Sequence, residues 1–139
     1  MYKKILVAFD GSAPSARALQ HAAQLGKTVH AEKLTIMYVN QDIPMPEPAL
    51  NIDLNKLLDE ENQKILSPAI QFISESKINY ETHTFHGEPS HIIMAYASEH
   101  HYDIIVMGST GKGLIKEALL GSVSHKVAHS ACCPVLIVK

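Results

Sequence analysis

Hydrophobic residues in this chain fall into short dense runs that alternate with longer stretches of helical spacing. Lys3–Phe9 is an apolar run rich in branched residues and predicts a first strand, closed by a turn at Asp10-Gly11-Ser12. Ala13–Lys27 sets Ala16, Leu19, Ala22, Ala23 and Leu25 at helical intervals, with Ser12 or Ser15 as cap and Pro14 in the first turn. Lys33–Val39 predicts a second strand through Leu34, Ile36, Met37 and Val39. Pro44, Pro46 and Pro48 then forbid helix and ladder pairing, so Gln41–Asn51 predicts a long loop. Asp53–Lys77 has the spacing of a long helix, carried by Leu54, Leu57, Leu58, Ile65, Ala69, Ile70 and Ile73, which Pro68 should kink or split. Ile78–His86 alternates and predicts a third strand near an edge. Gly87-Glu88-Pro89-Ser90 turns the chain into a helix that runs through His100. Asp103–Met107 is too short and too apolar for a helix and predicts a buried fourth strand. Ser122–Ala131 predicts a last helix, ended by Pro134, and Val135–Val138 a fifth strand.

Strands alternating with helices predict an α/β domain built on an open parallel sheet with helices on both faces. Right-handed crossovers and short connections favour a doubly wound order such as 3-2-1-4-5. Ligands of such sheets bind beyond the carboxyl ends of the strands, where the order reverses. Here that point falls between strands one and four, whose last residues are Asp10 and Gly108.

The stretch after strand four is rich in glycine: Gly108, Gly111, Gly113 and Gly121, the last followed by Ser122 and Ser124 where the final helix begins. A loop without side chains lets backbone amides approach an anion, and the first amides of a helix carry partial positive charge. Ser122 is a candidate N-cap or phosphate donor. The alternative is a tight turn followed by a capped helix. Gly108 and Gly113 have P-loop spacing, but Leu114-Ile115 stand where Lys-Ser/Thr is required, and no GxGxxG follows a strand. Asp10 likewise has two readings, as a ligand-binding carboxylate or as a cap of its own turn.

Composition narrows the field. At 139 residues the chain is expected to form one domain, 1–139, and its 46% hydrophobic and 19% charged residues are ordinary for a globular protein. A formal net charge of −2, with Lys and Arg spread along the chain, argues against nucleic acid as a partner. No apolar segment reaches membrane-spanning length and no signal-like core precedes a cleavage site, so a cytoplasmic location without a membrane partner is expected. The two cysteines, Cys132 and Cys133, are adjacent, which suits no disulfide framework and agrees with a reducing compartment; they are expected to pack or to sit near the surface. Nine histidines raise a metal reading, and His125 and His129 lie four apart on a predicted helix. Neither HExxH nor paired CxxC occurs, and surface histidines are the preferred reading.

Gly108, Gly111, Gly121 and Ser122 fit the pattern G-x2-G-x9-G-S/T without a gap. This resembles the nucleotide-binding signature of the universal stress protein family. Val7-Ala8-Phe9-Asp10-Gly11-Ser12, Met37-Tyr38-Val39, Gly87-Glu88-Pro89 and Cys133-Pro134-Val135-Leu136-Ile137-Val138 are similar to that family at corresponding places, so the likeness covers nearly the whole chain. It implies a Rossmann-like fold of the adenine nucleotide alpha hydrolase type that binds ATP, with ADP or AMP as alternatives, and Mg²⁺ held mainly by phosphates and water. Asp10 would hold the ribose or adenine side, with Ala8 and Phe9 on the same wall and the backbone of Val39 against adenine. Met107 leads into a loop, Gly108, Ser109, Thr110, Gly111, Lys112 and Gly113, that would wrap the phosphates, although Lys112 also reads as a solvated loop lysine. Gly121, Ser122, Val123 and Ser124 would close over them. The resemblance further implies a homodimer paired through Val135–Val138. The function expected is a nucleotide-dependent stress-response switch. A slow ATPase or phosphate-transferring enzyme and a nucleotide-independent regulatory module are the alternatives.

Overall fold

A computed structural model describes residues 1–41, 54–111 and 120–139. Five strands and four helices alternate along the chain: β1 (Lys4–Ala8), α1 (Ala13–Val29), β2 (Lys33–Asn40), α2 (Leu54–Glu75), β3 (Tyr80–His86), α3 (Pro89–Glu99), β4 (Ile104–Gly108), α4 (Ser122–Ser130) and β5 (Val135–Val138). All neighbouring strands pair in parallel, in the order β3-β2-β1-β4-β5. The doubly wound sheet expected from the alternation is therefore the one formed, with β3 and β5 at its edges.

The two faces of the sheet divide the core. Ile5, Val7, Leu34, Ile36 and Val106 pack against α1 and α2, whereas Leu6, Met37, Ile105 and Met107 pack against α3 and α4. Because β1, β2 and β4 are covered on both sides, they read as continuous apolar runs rather than as alternating ones. The flanking helices bury a single stripe each; in α1 it is Ser15, Ala18, Leu19, Ala22, Ala23 and Gly26. Ala16, expected on that stripe, is exposed and belongs to the opposite face.

Two expectations change at the level of elements. β3 begins at Tyr80 rather than Ile78, because its ladder with β2 starts where Tyr80 pairs with Leu34. Pro68 does not split α2, which continues from Leu54 to Glu75. Pro68 and Lys64 are both exposed, so the carbonyl deprived of its donor lies on the hydrated side of the helix. The proline-containing stretch read as a loop, Gln41–Asn51, lies outside the described residues except for Gln41. Among the described residues no helix is long and apolar enough to cross a membrane.

Candidate functional site

β1 and β4 are neighbours, yet the helices that follow them pack on opposite faces of the sheet. The chain therefore parts beyond the carboxyl ends of these strands, and a crevice of about 450 Å³ opens there. That volume falls within the roughly 300–1,000 Å³ of small-molecule sites.

One wall is the turn after β1. Gly11 takes a left-handed φ of 85°, which reverses the chain tightly. The Ser12 amide then donates to Asp10 Oδ1 at 2.9 Å, and the Ser12 hydroxyl caps α1 by accepting from the Ser15 amide at 3.3 Å. The Ser15 hydroxyl donates back to the Ser12 carbonyl at 2.9 Å and accepts from the Asp10 amide at 3.3 Å. Asp10 thus does cap its own turn, but with only one of its two carboxylate oxygens. The other, Oδ2, faces Gly111, where an added Cβ would lie 2.7 Å from it.

The opposite wall is the glycine-rich loop, and its described glycines act differently from what composition suggests. Gly108, Gly111 and Gly121 do not have positive φ. They are required instead for close approach. A Cβ at Gly108 would stand 2.7 Å from the Pro14 carbonyl carbon and 2.9 Å from the Ser15 nitrogen, so this glycine lets the end of β4 pass under the first turn of α1. At Gly121 the nearest atom would be Thr110 Cα, at 3.3 Å.

The amides of this loop also depart in part from the expected pattern. Ser109 is the mechanical anchor: its amide donates to the Val138 carbonyl at 2.9 Å, and its carbonyl accepts from the Gly121 amide at 2.7 Å and the Ser124 hydroxyl at 2.8 Å. The Ser109 and Gly121 amides serve the fold, since each already donates to a carbonyl, that of Val138 and that of Ser109 respectively. Ser122 is not the N-cap of α4. Gly121 holds that position, and no side chain caps the helix, in contrast to Ser12 on α1 and Glu88 on α3. The first-turn amides of α4 have no intrahelical partner and stand at the crevice mouth.

The residues proposed from sequence largely converge. Ala8, Phe9, Asp10, Val39, Met107, Gly108, Thr110, Gly111, Gly121, Ser122, Val123 and Ser124 all line the crevice. Ser109 does not line it and supports it from behind. Lys112 and Gly113 lie outside the described residues. Several lining residues were missed. Met37 shares a sheet face with Val39, and Pro89 and Ile93 stand one helical turn apart at the start of α3, so these four form an apolar wall. Period-two and i,i+4 spacing in the sequence contain that information, but only the tertiary packing shows that the two elements meet. Asn40 and Gln41 extend the wall beyond the end of β2. Among the described lining residues Asp10 is the one charged side chain. The site is therefore a cleft lined by an apolar patch, one carboxylate and a helix N-terminus, a set of groups suited to a ligand with an apolar ring, hydroxyls and an anionic tail.

Among the described residues the histidines and cysteines do not line the crevice. His125 and His129 are exposed, their rings parallel and 6.4 Å apart. Among the described residues no three His, Cys, Asp or Glu side chains converge as metal ligands. Cys132 is exposed and Cys133 half-buried, with burial pushing the Cys133 thiol up.

Comparison with known proteins agrees with this geometry. The profile of the Universal stress protein family matches residues 1–139. The chain is 39% identical to Universal stress protein YxiE of Bacillus subtilis, covering 100% of both. Universal stress protein UspA from Lactobacillus plantarum superposes with a TM-score of 0.83 at 31% identity, over 99% of this chain and 98% of that one. A universal stress protein solved in complex with cAMP superposes with a TM-score of 0.75 at 28% identity, over 99% of this chain and 96% of that one. By matched sequence along its full length, this chain belongs to the universal stress protein family.

Proposed function

We propose that the crevice binds an adenine nucleotide, ATP in the first instance, and that the protein acts as a nucleotide-dependent stress-response switch. The observation that carries this reading is the pairing of Asp10 Oδ2 with the uncapped start of α4 across a cleft that has an apolar wall. A carboxylate accepts from ribose hydroxyls, amides at a helix N-terminus attract phosphate, and Met37, Val39, Pro89 and Ile93 offer a flat apolar surface to a base. The related protein complexed with cAMP supports the choice of an adenine ring. Mg²⁺ would accompany the phosphates, held chiefly by them and by water. Binding is preferred to hydrolysis because the Ser124 hydroxyl already serves the Ser109 and Gly121 carbonyls. β5 lies at a sheet edge with Leu136 exposed, and pairing of Val135–Val138 about a two-fold axis would cover that edge in a homodimer. Titration calorimetry with ATP, ADP, AMP and cAMP tests the central claim. Saturable binding of at least one is expected; heat signals indistinguishable from buffer for all four would end the nucleotide reading.

A further inference from the structure

The core-facing stripe of α2 runs Leu58, Asn62, Leu66, Ala69 and Ile73, all buried. The asparagine stands where the spacing calls for a leucine. It is 5% exposed, and its Oδ1 accepts from Asn40 Nδ2 at 3.3 Å; Asn40 is itself 2% exposed. Asn40 is the last residue of β2 and lines the crevice. Its carbonyl also accepts from the Gly87 amide at 3.2 Å, which ties the same point to the turn before α3. The β2 wall is thus held between the α3 turn and a helix on the opposite sheet face.

A buried amide pair contributes little net stability over an apolar pair of similar shape, but its bond is directional, and Asn62, at 5% exposed, keeps its acceptor satisfied only where Asn40 Nδ2 reaches it. We infer that Asn62 is a positioning residue for the nucleotide crevice, fixing the Val39–Asn40 wall through the Asn40 side chain and linking occupancy of the site to α2. This rests on the nucleotide reading of the crevice. Linkage is reciprocal: if α2 sets the wall, a ligand that engages the wall must in turn restrain α2.

The full chain tests this with Asn62→Leu and Asn62→Asp, measured by calorimetry with ATP and by amide hydrogen exchange. Asn62→Leu fills the stripe but removes the acceptor, and should weaken ATP by about tenfold while thermal stability holds or rises. Asn62→Asp keeps an acceptor facing Asn40 and should stay within about threefold of wild type. In the wild type, ATP should slow exchange in α2 around Asn62, and Asn62→Leu should abolish that slowing. Wild-type binding with unchanged affinity in Asn62→Leu overturns the inference alone. Should Asn62→Leu fail to fold, the wild-type exchange decides, and ATP binding without slowing in α2 overturns it. No binding by the wild type overturns the nucleotide reading and this inference with it.

Discussion

Gly108 and Gly111 belong to one short motif, yet alanine should act on them in different ways. At Gly108 the new methyl would lie 2.7 Å from both the carbonyl carbon and Cβ of Pro14, and 2.9 Å from the Ser15 nitrogen. These atoms cannot swing aside. Pro14 is rigid, Ser15 is buried and bonded to Ser12, and β4 is locked between β1 and β5. Relief to ordinary van der Waals contact requires the strand end or the helix to retreat by about 0.7 Å, an overpacking that costs about 2–3 kcal/mol. In urea, with a slope of about 2 kcal/mol per molar, the unfolding midpoint should fall by about 1 M at unchanged slope. At Gly111 the nearest atom is Asp10 Oδ2, again at 2.7 Å, but it is the tip of a side chain that can rotate. Stability should fall by only about 1 kcal/mol, much of it from disturbing the bond between Oδ1 and the Ser12 amide. Affinity for ATP should fall by about tenfold, because the displaced oxygen is the one left to face a ligand. A Gly108→Ala protein as stable as wild type would refute the packing argument. A Gly111→Ala protein that binds ATP normally would refute the role given to Oδ2.

Glu88 caps α3 with its carboxylate, accepting from the Ser90 and His91 amides at 3.2 and 2.9 Å. The Ser90 hydroxyl beside it, more than any other group, holds its carboxyl below the usual carboxylate range. A depressed folded-state pKa gives stability that is present above the unfolded value of about 4.3 and is lost as pH falls through the folded value. Glu88→Ala should therefore cost about 1 kcal/mol at pH 7 and much less near pH 3, read from urea curves at both pH values. His30 ends α1 in a left-handed conformation, with φ at 54°. His30→Gly should raise stability by about 0.5–1 kcal/mol, and a melting temperature unchanged or lowered would contradict this. Light scattering at micromolar concentration should report a dimer, and Leu136→Lys, which charges the exposed edge of β5, should shift it toward monomer. A wild-type monomer would count against the edge-pairing model.

The element order, the sheet class and the two chemical ends of the crevice, Asp10 and the glycine-rich stretch leading into α4, were readable from the residues alone, and the family resemblance added Ala8, Phe9 and Val39 to its lining. Fully buried parallel strands must be apolar on both faces, so β1, β2 and β4 declare themselves as runs. The switch point follows from topology once the strands are placed. Asp10 and the glycines are close in space because they terminate adjacent strands, and strand order suffices to say so.

What packing alone decided is how each of those groups is used. Sequence marks Gly108, Gly111 and Gly121 as side-chain-free; only the fold shows that Gly108 admits a helix turn, Gly111 a carboxylate and Gly121 the backbone of Thr110. Sequence marks Ser122 and Ser124 as hydroxyls at a helix start. Only the fold shows that Ser124 secures Ser109 while the cap position belongs to Gly121. The same holds for Asn62, one polar residue in an apolar stripe, whose partner lies 22 residues earlier across a helix–sheet boundary. The physical reason is common to all three. Local periodicity is written into the chain by side-chain chemistry, whereas the partner of a hydrogen bond or the neighbour of a missing Cβ is set by distances of a few tenths of an ångström between elements remote in sequence.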